Sequence, residues 1–339
     1  MQTYKAAVIG AGRIGLELEL DEKRSKPASH AGMWLNHVRT QLVGLADPNK
    51  KQAEIGARIA PEAKFYTDPE EMLAATKPDI VSIATPHELH HDMVMLALKH
   101  GARLIICEKP IADSIEDAQN MVDAARDKGS VLIINHVRRF SPFVERFRQQ
   151  LHDGLLGDLL QISSYYVYGL VSTGTHLIDL YRYLLKDLVG EITWVQGRFN
   201  AFENFAPEGD PNIDGIIGFE NGLIATLQSL NMKDYDLFDQ TFYGRKGKAV
   251  LGDLTRVLDF YPAVASNKHS GFTELPLKPE QTWHDSGYNP FQALAENAVS
   301  CLDGSDTPRS SGDDAIMALK ILIAMRQSAE QDGQRVMVK

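Results

Sequence analysis

Five short apolar runs punctuate the first 135 residues, at 6–9, 42–46, 80–84, 104–107 and 131–134. They are continuous rather than alternating, which suits parallel strands buried on both faces. Helical segments at 92–100 and 114–128 lie between them and stop at Gly101 and Gly129, since glycine just past a helix is a stop signal. Ser114 with Asp117 three residues on resembles a helix-start cap, although Glu or Gln is the usual partner. The alternation predicts a doubly wound parallel sheet of α/β class over residues 1–135. After about residue 140 the rhythm changes. Segments 160–168, 192–202, 213–219, 223–230, 240–243 and 249–251 read as strands with few helices between them. Glu220-Asn221-Gly222 and Gly244-Arg245-Lys246-Gly247 read as hairpin turns, because their glycines tolerate positive φ. Residues 136–339 therefore form a second domain built on a mainly antiparallel sheet, with helices at 176–185, 290–302 and 312–331. In the last, Ile316, Leu319 and Ile323 recur at one-face spacing.

The first run ends in Gly10-Ala11-Gly12-Arg13-Ile14-Gly15. A strand, this glycine pattern and a helix make the dinucleotide fingerprint. Gly10 allows the tight turn, Gly12 lets the backbone approach a pyrophosphate, Gly15 lets helix and strand pack, and the helix N-terminus attracts the phosphates. Arg13 and Ile14 complete the turn. Asp47 ends the second run, where a carboxylate accepts from the adenosine ribose hydroxyls and repels a 2′-phosphate, favouring NAD over NADP. A strand-end turn before Pro48 is the plainer explanation, and Lys50 and Lys51 soften the preference. Gly15 to Asp47 spans 32 positions, against about 20 in the usual motif. The surplus falls on residues 18–29, which are charged and contain Lys26-Pro27; proline disfavours an unbroken helix. We expect a loop inserted after the first helical turn, near the cofactor or cleft, with a plain surface excursion as the alternative.

Composition narrows the class. A chain of 339 residues suits two domains, since single cores stop growing at roughly 250–300 residues. A net charge of −10 argues against nucleic acid or an anionic membrane as partner. Two distant cysteines, no signal-peptide core and no membrane-length apolar run make the cytoplasm the default location. His87, His90 and His91 lack the spacing and companion ligands of a zinc site; they read as a solvated helix-start cluster, and no metal is expected.

Cys107-Glu108-Lys109-Pro110 ends the fourth run. Taken with Ala84-Thr85-Pro86-His87, Arg138-Arg139-Phe140 and Thr173-Gly174-Thr175-His176-Leu177-Ile178-Asp179, it makes the chain resemble, along essentially its whole length, the Gfo/Idh/MocA family. That family is named for glucose–fructose oxidoreductase, inositol dehydrogenase and a rhizopine-catabolism protein. The resemblance implies an N-terminal nucleotide-binding domain and a C-terminal α/β domain whose large open sheet forms homodimers or homotetramers. It implies sugar, cyclitol or nucleotide-sugar substrates, and a role for His176 at the reacting hydroxyl.

The residues themselves suit that chemistry. Oxidising a secondary alcohol releases a hydride and a proton, and the proton needs a base. Lys109 stands at a strand's carboxyl end, where open α/β sheets bind ligands, and a nearby cationic nicotinamide lowers a lysine's pKa. Glu108 orients it; without the family match, a surface ion pair is the simpler reading. Asp179, three residues after His176, fixes the imidazole tautomer. Thr85, Pro86 and His87 are assigned to the nicotinamide, with helix entry as the alternative for His87. Tyr168, Ser172 and Thr173 are assigned to the substrate, and Tyr166 shares that claim with sheet packing. Arg138 and Arg139 either hold an anionic substrate group by forked hydrogen bonds or make interdomain salt bridges. Many family dehydrogenases carry aspartate four residues before the histidine; here Ser172 stands there, and it is no base near neutral pH. The preferred expectation is an NAD-dependent sugar-type dehydrogenase. The alternatives are an NAD-dependent redox-neutral glycoside hydrolase and a noncatalytic NAD-binding sensor or partner protein.

Overall fold

A computed structural model describes residues 2–200, 206–287 and 289–339. The chain forms two compact units: Met1–Ser141 with Gly287–Leu319, and Pro142–Ser286 with Lys320–Lys339.

The first unit is built on strands β1 (Tyr4–Ile9), β2 (Thr40–Ala46), β3 (Lys64–Tyr66), β4 (Ile80–Ile83), β5 (Leu104–Cys107) and β6 (Val131–Ile134). They pair in parallel in the order β3-β2-β1-β4-β5-β6, a doubly wound order that reverses direction beside β1. Its helices are α1 (His30–Asn36), α2 (Gln52–Ile59), α3 (Pro69–Thr76), α4 (His90–Lys99) and α5 (Ile115–Asp127). Ser114 caps α5 by accepting from the Asp117 amide at 3.0 Å, as its spacing predicted. Adjacent strand residues face opposite cores. Ala7, Ile9, Val81, Ile83 and Ile105 pack with α4 and α5; Ala6, Val8, Ile80, Leu104 and Ile106 pack with α1.

That second face explains a correction to the domain division. α1 has only seven residues, too few to cover six strands. α8 (Pro290–Leu302) fills the rest with Ala293, Leu294, Ala298 and Val299, so the boundary at 135/136 omits a returning segment. The return is fastened at Asp303, which accepts from the Tyr4 hydroxyl at 2.6 Å and from both terminal nitrogens of Arg39.

The helix expected straight after Gly15 is interrupted. Residues 12–16 turn, Glu17–Leu20 forms a 3₁₀ turn, and α1 begins only at His30, capped by Ser29. The interruption nevertheless keeps helical register. His30 N–H donates to the Ile14 carbonyl (3.1 Å) and Ala31 N–H to the Gly15 carbonyl (2.9 Å). In an uninterrupted helix those donors are residues 18 and 19, twelve positions earlier. The excursion is thus the segment 18–29 that the motif spacing marked as surplus. Glu19 ties it off by accepting from Ala28 N–H and Ser29 Oγ–H, and Lys26 Nζ donates to the Leu18 and Asp21 carbonyls.

The second unit contains α6 (Pro142–His152), β7 (Leu159–Val167), α7 (Thr175–Val189), β8 (Ile192–Phe199), β9 (Ile213–Phe219), β10 (Ile224–Leu230), β11 (Asp239–Gly244), β12 (Gly247–Gly252) and β13 (Val257–Pro262). A small ribbon, β14 (Val264–Ala265) with β15 (Thr273–Glu274), precedes β16 (Gln281–His284); α9 (Gly312–Glu330) and β17 (Val336–Met337) end the chain's elements. The nine-stranded sheet runs β16-β13-β12-β11-β7-β10-β9-β8-β17. It is antiparallel except for the β7–β10 pair, which is parallel. Both expected hairpins join antiparallel neighbours, β9 to β10 and β11 to β12.

Sequence pattern did not find α2, α3, β3, α6, β13, β14, β15, β16 or β17. The expected strand at 192–202 ends at Phe199, and its positions 201–202 lie outside the described residues. On α9, Ile316 and Leu319 are buried but Ile323 is 40% exposed, so the one-face stripe stops a turn early. Met325 instead lies over Gly197 and Gly215, where an added Cβ would meet it at under 3 Å. Glycine in these strands admits the helix. No helix among the described residues is long and apolar enough to cross a membrane.

Because helical register closes across the excursion, we expect deletion of residues 18–29 to leave a cooperatively folding chain. Pro27, Ala28 and Ser29 are buried, so a loss on the order of 1–2 kcal/mol is expected, read as a modest fall in melting temperature. Loss of the cooperative melt would show that the excursion carries part of the core.

Candidate active site

The expected cofactor residues of the first unit gather at the carboxyl ends of β1, β2, β4 and β5. Gly10 follows β1 with φ +91°, and a Cβ there would lie 2.6 Å from the Ala84 carbonyl carbon and oxygen. A Cβ on Gly15 would fall 1.8 Å from the Gly10 carbonyl oxygen. The fold itself therefore demands glycine at both positions. Gly12 differs: a Cβ there meets no atom within 4 Å. The amides of Gly12, Arg13, Ile14 and Gly15 donate to no other described residue. Open space beside unspent amides is what an anionic pyrophosphate requires, so the turn fits a dinucleotide. Asp47 accepts from the Ala11 amide at 2.9 Å through Oδ2 and from the Asn49 amide at 2.9 Å through Oδ1. It is both the turn expected before Pro48 and a tether for the glycine loop, and a carboxylate's four lone-pair sites leave capacity for ribose hydroxyls.

Thr85 and Pro86 follow β4, and the Thr85 hydroxyl oxygen is buried without a hydrogen-bond partner among the described residues. His87 is half-buried, with Nδ1 2.5 Å from Asp113 Oδ1. The solvated reading of the histidine cluster fails at His90, which is buried. Its Nδ1 lies 2.8 Å from the Pro110 carbonyl and its Nε2 3.1 Å from the Thr85 carbonyl. A neutral imidazole donates from one nitrogen only. Burial lowers the basicity of His90 more than the two carbonyls raise it, so the ring donates to the nearer Pro110 carbonyl and joins the loops after β4 and β5.

Glu108 and Lys109 leave β5, and the Lys109–Pro110 peptide is cis. Glu108 Oε1 accepts from Asn135 Nδ2 at 2.6 Å and stands 2.9 Å from His30 Nε2. Burial alone would raise the Glu108 pKa. The His30 ring N–H and its electrostatic attraction, the Lys109 ammonium and the Asn135 amide overcome it and bring the pKa to about 2. A folded-state pKa below the ordinary 4.5 means that this ionised carboxylate stabilises the fold above about pH 4.5. The contribution is lost as pH falls toward 2.

Arg138 is half-buried beyond β6. Arg139 is buried, and its guanidinium donates to Asp314 Oδ2 at 2.9 Å and to the Arg309 carbonyl at 3.1 Å. Its assignment to substrate is corrected: this guanidinium closes an ion pair inside the first unit.

In the second unit, Tyr168, Ser172 and Thr173 lie between β7 and α7, and His176 and Asp179 follow in the first turns of α7. Tyr168 has φ +69° and Gly169 φ +88°; two successive residues in this region mark a sharp turn held by its surroundings. The holders are Asn212, whose Oδ1 accepts from the Gly169 amide at 2.7 Å, and Asp210, whose oxygens accept from the Val171 and Ser172 amides at 2.7 and 2.8 Å. A π-helical turn, Leu170–Gly174, then leads into α7. His176 is half-buried and Asp179 is 1% exposed. Tyr166 is excluded from a substrate role, since its buried hydroxyl spans the Ile213 carbonyl and amide.

Residues 4–136 match the family described as "Oxidoreductase family, NAD-binding Rossmann fold". The chain is 26% identical to the D-glucoside 3-dehydrogenase of Escherichia coli (strain K12), over 98% of this chain and 97% of that one. It is 25% identical to the scyllo-inositol 2-dehydrogenase (NAD(+)) of Bacillus subtilis (strain 168), over 96% and 93%. Through residues 4–136 the chain belongs to the Gfo/Idh/MocA oxidoreductase family. Its fold is shared by the WlbA dehydrogenase from Bordetella pertussis, solved in complex with NADH and UDP-GlcNAcA, with a TM-score of 0.80 at 18% identity over 100% and 98% of the two chains.

Three features of this Gfo/Idh/MocA chain were not legible as site residues. His30 lies behind the excursion; with twelve residues set aside, it follows Gly15 by three, one helical turn away. Asn135 carried no more signal than its place after β6. Asp210 is distant in sequence, yet it accepts from the backbone amide of Ser172.

Two glycine variants separate fold from binding. Gly10→Ala should cost on the order of 3 kcal/mol or more through clash and strain. Gly12→Ala should change stability by less than about 0.5 kcal/mol, yet weaken NADH binding about tenfold or more. Thermal melts with NADH fluorescence titrations check both; normal NADH affinity in Gly12→Ala would remove the glycine turn from the cofactor site.

Proposed function

We propose that this chain is an NAD-dependent dehydrogenase that oxidises a secondary hydroxyl of a sugar, cyclitol or nucleotide-sugar-like substrate. The observation that carries the reading is the Glu108–Lys109 pair at the carboxyl end of β5, held by His30 and Asn135 in the sheet that bears the open glycine turn. The named relatives, a D-glucoside 3-dehydrogenase and a scyllo-inositol 2-dehydrogenase, support the substrate class. Gly12, Arg13, Ile14 and Gly15 would hold the pyrophosphate, Asp47 the adenosine ribose, and Thr85 and Pro86 the nicotinamide end. Bound NAD+ supplies a hydride acceptor. Lys109 takes the hydroxyl proton at Nζ, and Glu108 keeps the lysine placed. His176 orients the reacting hydroxyl, and buried Asp179 steadies α7 beneath it. Ser172 and Thr173 offer hydroxyls to the substrate, with Asp210 fixing the backbone at Val171 and Ser172; Tyr168 and Arg138 are assigned to substrate contact.

Asp47 favours NAD over NADP. Self-association uses the outer face of the nine-stranded sheet, where Ile216, Ile224 and Tyr243 are exposed. Two buried, unpaired cysteines suit a reducing cytoplasm.

The test is NAD+ reduction across methyl glucosides, inositols, anhydrosugars, sugar acids and UDP-sugars. Lys109→Ala should lower kcat about a hundredfold or more, and Asp47→Ala should narrow the preference for NAD+ over NADP+. Aglycone release without net NADH would move the reading to a redox-neutral hydrolase. If Lys109→Ala left turnover unchanged, Lys109 would not be the base.

A further inference from the structure

We propose that His30 is a positioning residue for the Glu108–Lys109 pair: its ring N–H fixes the Glu108 carboxylate beside Lys109. The effect on turnover rests on the dehydrogenase reading; the geometry does not.

His30 is fully buried at the first position of α1. Its Nε2 is 2.9 Å from Glu108 Oε1, and Asn135 Nδ2 is 2.6 Å from the same oxygen. An ionised carboxylate only accepts, so Nε2 carries the proton. With Oε1 held by donors from two elements, the carboxylate cannot turn without breaking both bonds. Oε2 is left toward the Lys109 amide, 3.4 Å away. The other His30 nitrogen, Nδ1, is buried with no hydrogen-bond partner among the described residues. The ring's one polar bond is therefore the bond to Glu108.

The groups facing Glu108 come from four elements: His30 on α1, His90 on α4, Cys107 and Lys109 on and beyond β5, and Asn135 beyond β6. His90 is engaged with the Thr85 and Pro110 carbonyls, and burial holds the Cys107 thiol protonated. Among the described residues, His30 and Asn135 are the side chains seen to hydrogen-bond the carboxylate.

A packing role is the competing explanation, because the His30 ring also meets Phe291 edge-on with centroids 5.7 Å apart. The two roles predict opposite results in paired variants of the full chain. His30→Phe keeps a ring and removes the donor; His30→Gln keeps an amide donor and removes the ring. Three readouts apply. The first is the Glu108 carboxyl titration by 13C NMR with NADH bound. The second is the pH profile of kcat/KM with NAD+ and the fastest substrate among methyl glucosides, inositols, anhydrosugars, sugar acids and UDP-sugars. The third is the His30 tautomer by 15N NMR in the unaltered protein.

A positioning role predicts that His30→Phe moves the carboxyl titration upward by about 2 pH units, and moves the acid limb of kcat/KM, which reports the base Lys109, downward as the ammonium loses the carboxylate held beside it. His30→Gln should return both to within about half a unit of the parent. The unaltered ring should show the Nε2–H tautomer. The proposal is overturned if His30→Phe keeps the parent titration, with only its melting temperature changed, or if the ring carries its proton on Nδ1 alone. If no sugar or polyol is oxidised, the dehydrogenase reading falls, while the carboxyl titration and the tautomer still decide the role of His30.

Discussion

Two backbone hydrogen bonds, from His30 to the Ile14 carbonyl and from Ala31 to the Gly15 carbonyl, govern the geometry of the first unit. They join a glycine turn to a helix that begins twelve residues later than the fold requires. Because they keep helical register, α1 lies where an uninterrupted helix would lie. Trp34 is buried against the sheet with its indole N–H on Ser82, and His30 points at Glu108. A junction with any other offset would rotate α1 by about 100° per residue and turn that ring away from the carboxylate.

Around this junction the unit divides its constraints cleanly. Gly10 and Gly15 answer to the protein's own backbone. Gly12 answers to nothing in the protein, and so reports on what the turn is shaped to receive. The same division holds for charge. Arg139 and Asp314 satisfy each other inside the fold, whereas the Glu108 carboxylate is kept ionised in a buried place at the end of a strand. A charge maintained against burial costs free energy unless partners offset it, and here two side-chain donors are dedicated to that task.

Much of this was legible in the sequence. Strands β1, β2, β4, β5 and β6 announced themselves because a parallel sheet covered on both faces needs unbroken apolar runs. The three residues of β3, Lys-Phe-Tyr, are too few to show any period. Helix α8 was legible to the residue, but periodicity gives which face is apolar and never which core receives it. Its membership in the first unit follows from an area deficit left by a short α1, a property of the assembled sheet. Residues 18–29 were recognisable as surplus by counting from Gly15 to Asp47. His30 stayed hidden because the same surplus broke the spacing that would have tied it to Gly15. Arg139 failed for the opposite reason: a pair of arginines after a strand looks available until Asp314 arrives from 175 positions away.

The returning α8 also sets an order of events during synthesis. A nascent chain folds as its segments emerge, and exposed apolar surface in a waiting intermediate favours misassembly. The six-stranded sheet has all its strands once residue 134 has emerged. One of its faces remains incompletely covered until residues 290–302 follow. The first unit is therefore completed only near the end of translation, after the intervening strands of the second sheet have been made. A chain stalled between those points carries a nucleotide-binding sheet with one flank only partly covered.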